Sequence, residues 1–425
     1  MSGLEKEGEN APIVLFTGAG ASCAEGIELP NMTQFFRAIM NDAHVPSHAL
    51  ISEKDHFKYI MDHLYPEKTN QTYDLERVLG VLYKVSGTFA DDDAFNIFFD
   101  QRLVGELYES LGARGLAVRV ASNPNGGIGA DQVKRFLLDA LNEGFSKRKI
   151  GSANLLYEMK MLVRQTYSSF NREGAYRVYG PLFKVLIDAV NSYPPVSPKK
   201  SLPIFTTNYD LSIDYVLRPG PTQLDESFHE TWLETSDVSP FEFNDGFALN
   251  RFKSRIVWSY TEHTHRHSDI LNIPYHKLHG SVLWEEYGDG ITKTTDPVPD
   301  NKDNPRPFVM IYPSDKSIPD KDPFGYSHRE LERYLRSAKL LIVIGFAFRD
   351  PGIVDIFKRA LRDNNALCVL VIGPEPASHE VDLRDFLQLD NVEHLKGYFG
   401  EPDVSDAIGV SCTKHLTSLE VAGIN

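Results

Sequence analysis

Several short runs of apolar, largely β-branched residues end abruptly at glycine or at small polar residues. Ala11–Thr17 (APIVLFT) runs straight into Gly18, Leu202–Thr206 (LPIFT) into Thr207-Asn208, and Lys339–Ile344 (KLLIVI) into Gly345; Ala366–Ile372 (ALCVLVI) is of the same kind. Runs that are apolar throughout belong to strands covered on both faces, which is the situation of a parallel sheet flanked by helices. Weaker strand character lies at Ile273–Leu278 and Phe308–Tyr312, and helical periodicity at 328–337 and 353–362. Strands alternating with helices predict an α/β fold with a mostly parallel, doubly wound sheet.

The stretch 43–200 is too long for one crossover and carries helical patterns, at 131–144, 153–168, 176–192 and after Asp74, with a further helix at 33–42. It reads as a helical subdomain inserted after the first βα unit, within one domain over 11–375. Residues 220–270 read as irregular and aromatic-rich, and 376–425 as a short helical and looped extension.

With 425 residues, 42% of them hydrophobic and 24% charged, a sizeable packed core is expected. A net charge of -15 argues against direct contact with nucleic acid or an anionic membrane. No apolar run reaches the length of a bilayer span, and MSGLEKEGEN at the start is polar and acidic, so the expectation is a cytoplasmic protein. The cysteines, Cys23, Cys368 and Cys412, are far apart and form no CxxC pair, so a four-cysteine zinc site cannot be built and no metal is expected. His263, His265 and His267 alternate and would share one face of a strand, but a solvated loop is the simpler reading.

Ligands of doubly wound sheets bind beyond the carboxyl ends of the strands, and unusual sequences stand there. Gly18-Ala19-Gly20-Ala21-Ser22 follows the first run; glycine lets backbone approach a pyrophosphate, and an ordinary tight turn explains it as well. Thr206-Thr207-Asn208-Tyr209-Asp210 offers hydrogen bonds to a ribose or an amide, or simply caps a helix. Gly345-Phe346-Ala347-Phe348-Arg349-Asp350 again pairs a glycine with charged residues that can cap or form an ion pair. Lys277-Leu278-His279-Gly280 supplies a histidine able to act as a general base.

In this order, GAGAS with Gly26-Ile27, TTNYD, HG and GFAFRD resemble the hallmarks of the sirtuin superfamily, and IGFAFRDPGI looks most like the bacterial sirtuin-like proteins linked to phage defence. The resemblance implies a Rossmann-like fold that holds NAD. By position, Gly18, Ala19, Gly20 and Ser22 would cradle its phosphates, Gly345 would border the adenosine half, and Asn208 and Asp210 would lie near the nicotinamide and its ribose. Thr207, where the family usually has glutamine, joins the cofactor-binding set, and His279 would be the catalytic base.

The chain departs from the protein-deacylating members. It lacks the four cysteines of their zinc module, and Glu28-Leu29-Pro30 follows Gly26-Ile27 where they continue with proline. The resemblance therefore implies that NAD is the substrate itself: an NAD glycohydrolase in which Asn208 orients water or the carboxamide, His279 takes a proton, and Asp210 stabilises positive charge or holds the carboxamide. An NAD-dependent deacylase, an ADP-ribosyltransferase and a catalytically silent NAD-sensing subunit are the alternatives. The expected partners are other copies of the chain and a HerA-like ATPase.

Overall fold

The computed structural model describes residues 11–31, 33–35, 79, 155–194, 199–217, 241–250, 255–259, 270–287, 290–294, 308–311, 322–378 and 380–417. The chain divides into two compact units, Met1–Phe35 with Val163–Asn425 and Phe36–Leu162. The helices expected after Asp74 and at 131–144, most of the one at 33–42, and the histidines at 263–267 lie outside the described residues.

In chain order the described elements are β1 (Ile13–Thr17), α1 (Ala19–Ser22), α2 (155–168), α3 (Arg172–Ser192), β2 (Ile204–Thr206), α4 (Ser212–Leu217), β3 (Phe241–Asn244), β4 (Phe247–Asn250), β5 (Arg255–Trp258), β6 (Leu271–Lys277), β7 (Gly280–Tyr287), β8 (Gly290–Lys293) and β9 (Phe308–Met310). They continue with α5 (Phe324–Leu335), β10 (Leu340–Ile344), α6 (Pro351–Asp363), β11 (Cys368–Gly373), α7 (Val381–Phe386), β12 (Val392–Lys396) and α8 (Pro402–Thr417).

Seven strands form one sheet in the order β12-β11-β10-β1-β2-β6-β3, and every neighbouring pair is parallel. This is an α/β, Rossmann-like sheet. The apolar runs become its centre: every residue of β1 and of β10 is buried. Side chains alternate across a strand, so Val14, Phe16, Leu341 and Val343 join one core cluster with Leu331 and Leu335 of α5 and Ile353 and Phe357 of α6. On α8, Val404, Ile408 and Cys412 are buried; the helix packs on α3 and against β10.

Register decides where the site forms. Lys277 pairs with Thr206, Thr206 with Thr17, and Thr17 with Ile344, so β6, β2, β1 and β10 finish in one row. The chain builds β2 and β6 on one side of β1 and β10 to β12 on the other, so the loops after β1 and β10 diverge at a topological switch point.

A second sheet, wholly antiparallel in the order β4-β5-β8-β7-β9, starts at Gly280, just beyond β6. Sequence reading placed no strand in 241–258, assigned Phe308–Tyr312 no separate sheet, and read 376–425 as helix and loop. The structure puts β3, β4 and β5 in the first segment, β9 in the second sheet, and β12 at the edge of the first. All five are short, and β3, β5 and β12 are mostly half-buried, so they lack the continuous apolar signature of β1 and β10. No helix of the described residues is long and apolar enough to cross a membrane.

Helix α3 begins on an Asn171 cap, whose Oδ1 accepts from the Gly174 amide at 3.0 Å. Gly174 lies against the turn at Gly26, where φ is +104°, and a Cβ on Gly174 would stand 1.9 Å from the Gly26 carbonyl oxygen. Glycine to alanine inside a helix ordinarily gains roughly 1 kcal/mol. Here the sign reverses: Gly174→Ala is expected to lower stability by about 1–3 kcal/mol, as overpacking does, in urea unfolding against the wild type.

Candidate active site

The four sequence segments meet at the carboxyl edge, because their strands are neighbours that end in one row. Gly18 follows β1, Asn208 lies two residues past β2, His279 two past β6, and Gly345 directly follows β10.

Glycine serves one need here that the sequence did not reveal. The turn after β1 rests on the turn after β10, backbone on backbone. The Gly20 amide donates to the Gly345 carbonyl at 2.8 Å. A Cβ on Gly18 would meet that same oxygen at 2.7 Å, and one on Gly345, whose φ is +64°, would lie 2.1 Å from the Ala21 nitrogen. Helix α1 is a single turn, and its Ala21 amide donates to the Gly18 carbonyl. The Gly18 amide donates to the Ile344 carbonyl at 2.8 Å, so two of the residues expected to cradle a phosphate, Gly18 and Gly20, have their amides engaged within the protein. Gly20 is exposed, and Ala19 and Gly345 are half-buried, so this lip is open to a ligand.

The β2 turn is set by its threonines. Thr206 Oγ1 accepts from Thr17 Oγ1 at 2.8 Å and from the Asn208 amide at 3.0 Å, and donates to the Thr17 carbonyl. The Thr207 amide donates to the same carbonyl at 3.1 Å, leaving the Thr207 residue half-exposed. Asn208 is 6% exposed. Its Nδ2 donates to the Gly18 carbonyl at 3.0 Å and to Ser22 Oγ at 2.8 Å, and the Ser22 hydroxyl donates to Asp210 Oδ2 at 2.6 Å. The other oxygen of Asp210 accepts from the Ser212 amide at the start of α4. Asn208 Oδ1 is buried and takes no hydrogen-bond partner among the described residues.

Behind this turn lies Lys277, which sequence reading quoted without giving it a role. Its Nζ donates to the carbonyls of Asn208, at 3.1 Å, and of Asp210, and pairs with Asp214 at 3.4 Å. Lys293 reaches the other oxygen of Asp214 at 3.3 Å and Asp245 at 2.5 Å. The lysine side chains are 3% exposed, and the two cations and two carboxylates form one largely buried network.

His279 sits where the chain leaves the parallel sheet. Its carbonyl accepts from the Ile311 amide, and Gly280, with φ +104°, faces the Val309 carbonyl so closely that a Cβ would stand 2.6 Å from it. The Tyr209 ring lies 6.5 Å from the His279 ring, centroid to centroid. His279 Nε2 bonds Asp350 Oδ2 at 3.0 Å. Asp350 therefore does two things: Oδ1 caps α6 by accepting from the Gly352 and Ile353 amides, and Oδ2 holds the histidine. Burial pushes the Asp350 carboxyl up, but the hydrogen bond and charge of His279 and the Ile353 amide outweigh it and hold the group below its ordinary value. Asp350 Oδ2 accepts from Nε2–H, so in the neutral ring Nδ1 carries the lone pair and in the imidazolium both nitrogens are protonated.

Arg349, read as an ion-pair or capping residue, is exposed and takes no ion-pair partner among the described residues. Phe348, before it, holds a left-handed φ of 58°, a conformation that costs a non-glycine residue about 1–2 kcal/mol. Its ring packs on Phe346, Phe357 and Phe386, which fixes the loop carrying Asp350.

No model of a known protein family matches the chain, and no curated protein matches it. Among solved structures it is similar to a triple variant of Sir2 homologues in complex with 2′-O-acetyl ADP ribose, at 10% identity and a TM-score of 0.38 over 96% of this chain and 94% of that one. It is similar also to a Sir2 homologue–NAD complex, at 11% identity and a TM-score of 0.36 over 95% and 90%, and to a serine-to-alanine Sir2 homologue with ADP ribose, at 10% and 0.35 over 97% and 94%. Likeness this slight decides nothing about chemistry.

His328, on α5, is buried with Nδ1 on the Phe324 carbonyl at 2.9 Å. Burial holds it below the ordinary 6.5 against that hydrogen bond; the neighbouring His279 charge lowers it further and Asp350 opposes. A group with a depressed folded pKa favours the folded state above its unfolded pKa and loses that contribution as pH falls. Stability is therefore expected to decline as pH drops below about 6.5, and His328→Gln to flatten that decline. Melting temperatures at a series of pH values, for both proteins, check this.

Proposed function

We propose that the chain is an NAD glycohydrolase that binds NAD at the carboxyl edge of β10, β1, β2 and β6 and cleaves its nicotinamide–ribose bond. The observation that carries this reading is the buried Asn208 Oδ1, which has no hydrogen-bond partner among the described residues. An unsatisfied buried acceptor costs about 1–3 kcal/mol, and a ligand that donates a hydrogen bond relieves it. The nicotinamide carboxamide and the attacking water are both such donors.

The chemistry needs little beyond placement and one base. The C1′–N1 electron pair leaves with the pyridinium nitrogen, so nicotinamide departs neutral and positive charge spreads over C1′ and the ring oxygen, as in glycoside hydrolysis. Water adds to C1′ and gives a proton to His279, leaving ADP-ribose. Asp350, holding Nε2–H, directs that proton to Nδ1 and balances the imidazolium. Asp210, with both oxygens engaged, acts as a positioning residue: it holds Ser22, which holds Asn208. Gly18, Ala19, Gly20, Thr207 and Gly345 form the lip that receives the phosphates and the adenosine half.

The resemblance of IGFAFRDPGI supports a wider setting, in which an oligomer of the chain depletes NAD during phage infection under the control of a HerA-like ATPase.

Nicotinamide release from NAD is the test, with the chain alone and with a HerA-like ATPase added. Asn208→Ala and His279→Ala are each expected to lower the rate by ~10²–10⁴-fold, the usual effect of losing a general base or its water. Full activity in either variant, or release only when an acylated peptide is supplied, overturns the proposal. Asp350→Asn separates the two jobs of that residue. Asparagine caps helices as well as aspartate, so stability is expected to change by less than about 1 kcal/mol. The amide, however, presents a donor to Nε2 and moves the ring proton to Nδ1, so the rate falls with little change in KM.

A further inference from the structure

At the opposite end of the sheet, three side chains of different elements converge. Cys368 is the first residue of β11, Glu393 the second of β12, and His415 lies in the last turn of α8. Their Sγ, carboxylate and imidazole atoms all lie within 4.8 Å of one another. We propose that Cys368, Glu393 and His415 bind a zinc ion that fastens α8 to the last two strands of the sheet.

The donor set carries the argument. Tetrahedral zinc takes sulfur at about 2.3 Å and nitrogen or oxygen at about 2.0–2.2 Å, which puts its ligand atoms roughly 3.3–3.8 Å apart. His415 Nε2 and Glu393 Oε2 already stand 3.3 Å apart. A thiolate with an imidazole selects zinc over magnesium or calcium, which prefer oxygen alone. The pleat favours the cluster: Glu393 pairs with Leu370, two residues after Cys368, so both ligands leave the sheet on one face. Val369 and Val371 face the other way, into the core with α5 and α6.

The site is closed below and open above. Cys368 is buried, while Glu393 and His415 are 36% and 17% exposed at the side chain, which leaves room for water as fourth ligand. Lys414 holds the other carboxylate oxygen, Oε1, at 2.6 Å and leaves Oε2 to the metal. Binding releases the Cys368 thiol proton to solvent; thiolate and carboxylate then neutralise the ion. The expectation of no metal came from the lack of a CxxC pair, a test blind to ligands drawn from three elements.

The experiment is zinc titration of the chelator-stripped full chain against a chromophoric chelator, with melting temperature as a second readout and circular dichroism to confirm folding. The wild type is expected to bind at micromolar free zinc and to melt higher with it. Cys368→Ser and His415→Gln are each expected to lose one equivalent and the thermal gain, and replacing His263, His265 and His267 with alanine to keep both. His415→Gln changes a partly exposed position and guards against misfolding at the buried cysteine. No binding by the folded wild type leaves only an ion pair of Lys414, Glu393 and His415 beside a buried thiol, and overturns the proposal. Zinc content unchanged in both single variants overturns it equally.

Discussion

The Gly20 amide reaches the Gly345 carbonyl at 2.8 Å, and around that bond two strand-end turns lie closer than any side chain allows. In a doubly wound sheet the loops at the switch point leave in opposite directions and a crevice opens between them. Here the crevice floor is closed by direct backbone contact, so the groups above it are positioned by two strands together. The Gly18 carbonyl, fixed by this contact, accepts the Asn208 amide. From Asn208 the order passes to Ser22, Asp210 and the start of α4. A side chain at Gly18 or Gly345 would part the turns and release every later member.

The second support is electrostatic. Irregular backbone after β2 leaves carbonyls that no helix or sheet satisfies, and Lys277 satisfies two of them, those of Asn208 and Asp210. Burying that ammonium is costly unless it is paired. Asp214 supplies the countercharge, and Lys293 with Asp245 extends the network. Removing one member of such a set typically costs 3–5 kcal/mol, because the remaining charge stays buried. The turn is thus held from below by a cation and from the side by glycine contact, and pre-organised geometry of this kind is what positions a reacting group.

How much of this the sequence displayed follows from the physics of each element. β1, β10 and β11 were legible because strands covered on both faces are apolar throughout. The second sheet was not: β5 is half-buried, β8 and β9 are short, and the longer β7 mixes apolar residues with Ser281, Glu285 and Glu286, while β12 (VEHLK) is half-polar, as an edge strand is. Polar residues at strand ends marked Asn208, Asp210 and His279 as candidates. Their partners were hidden, because which loop meets which depends on strand order. Asp350 was open in the sequence as a helix cap or an ion-pair partner, and its second oxygen finds His279 only because β6 and β10 finish in the same row. Lys277, within an otherwise apolar strand, is the one signal that a closer reading had available.

Direction along the hydrogen-bond chain narrows what the site can receive. The chain runs from Asn208 Nδ2 to Ser22 Oγ to Asp210 Oδ2, and a carboxylate at its end can only accept. At the other end the Gly18 carbonyl also can only accept. Both Asn208 N–H groups are therefore spent on the protein, and a flip of the amide would set its oxygen against the Gly18 oxygen. Oδ1 must face the remaining direction, whatever binds there. A phosphate oxygen is excluded from that point, since two acceptors repel; the occupant has to donate. Under the proposed function, phosphates would fall to the lip at Ala19, Gly20 and Gly345 and the donor-bearing end of the ligand to Asn208, which would set the direction of a dinucleotide across the switch point.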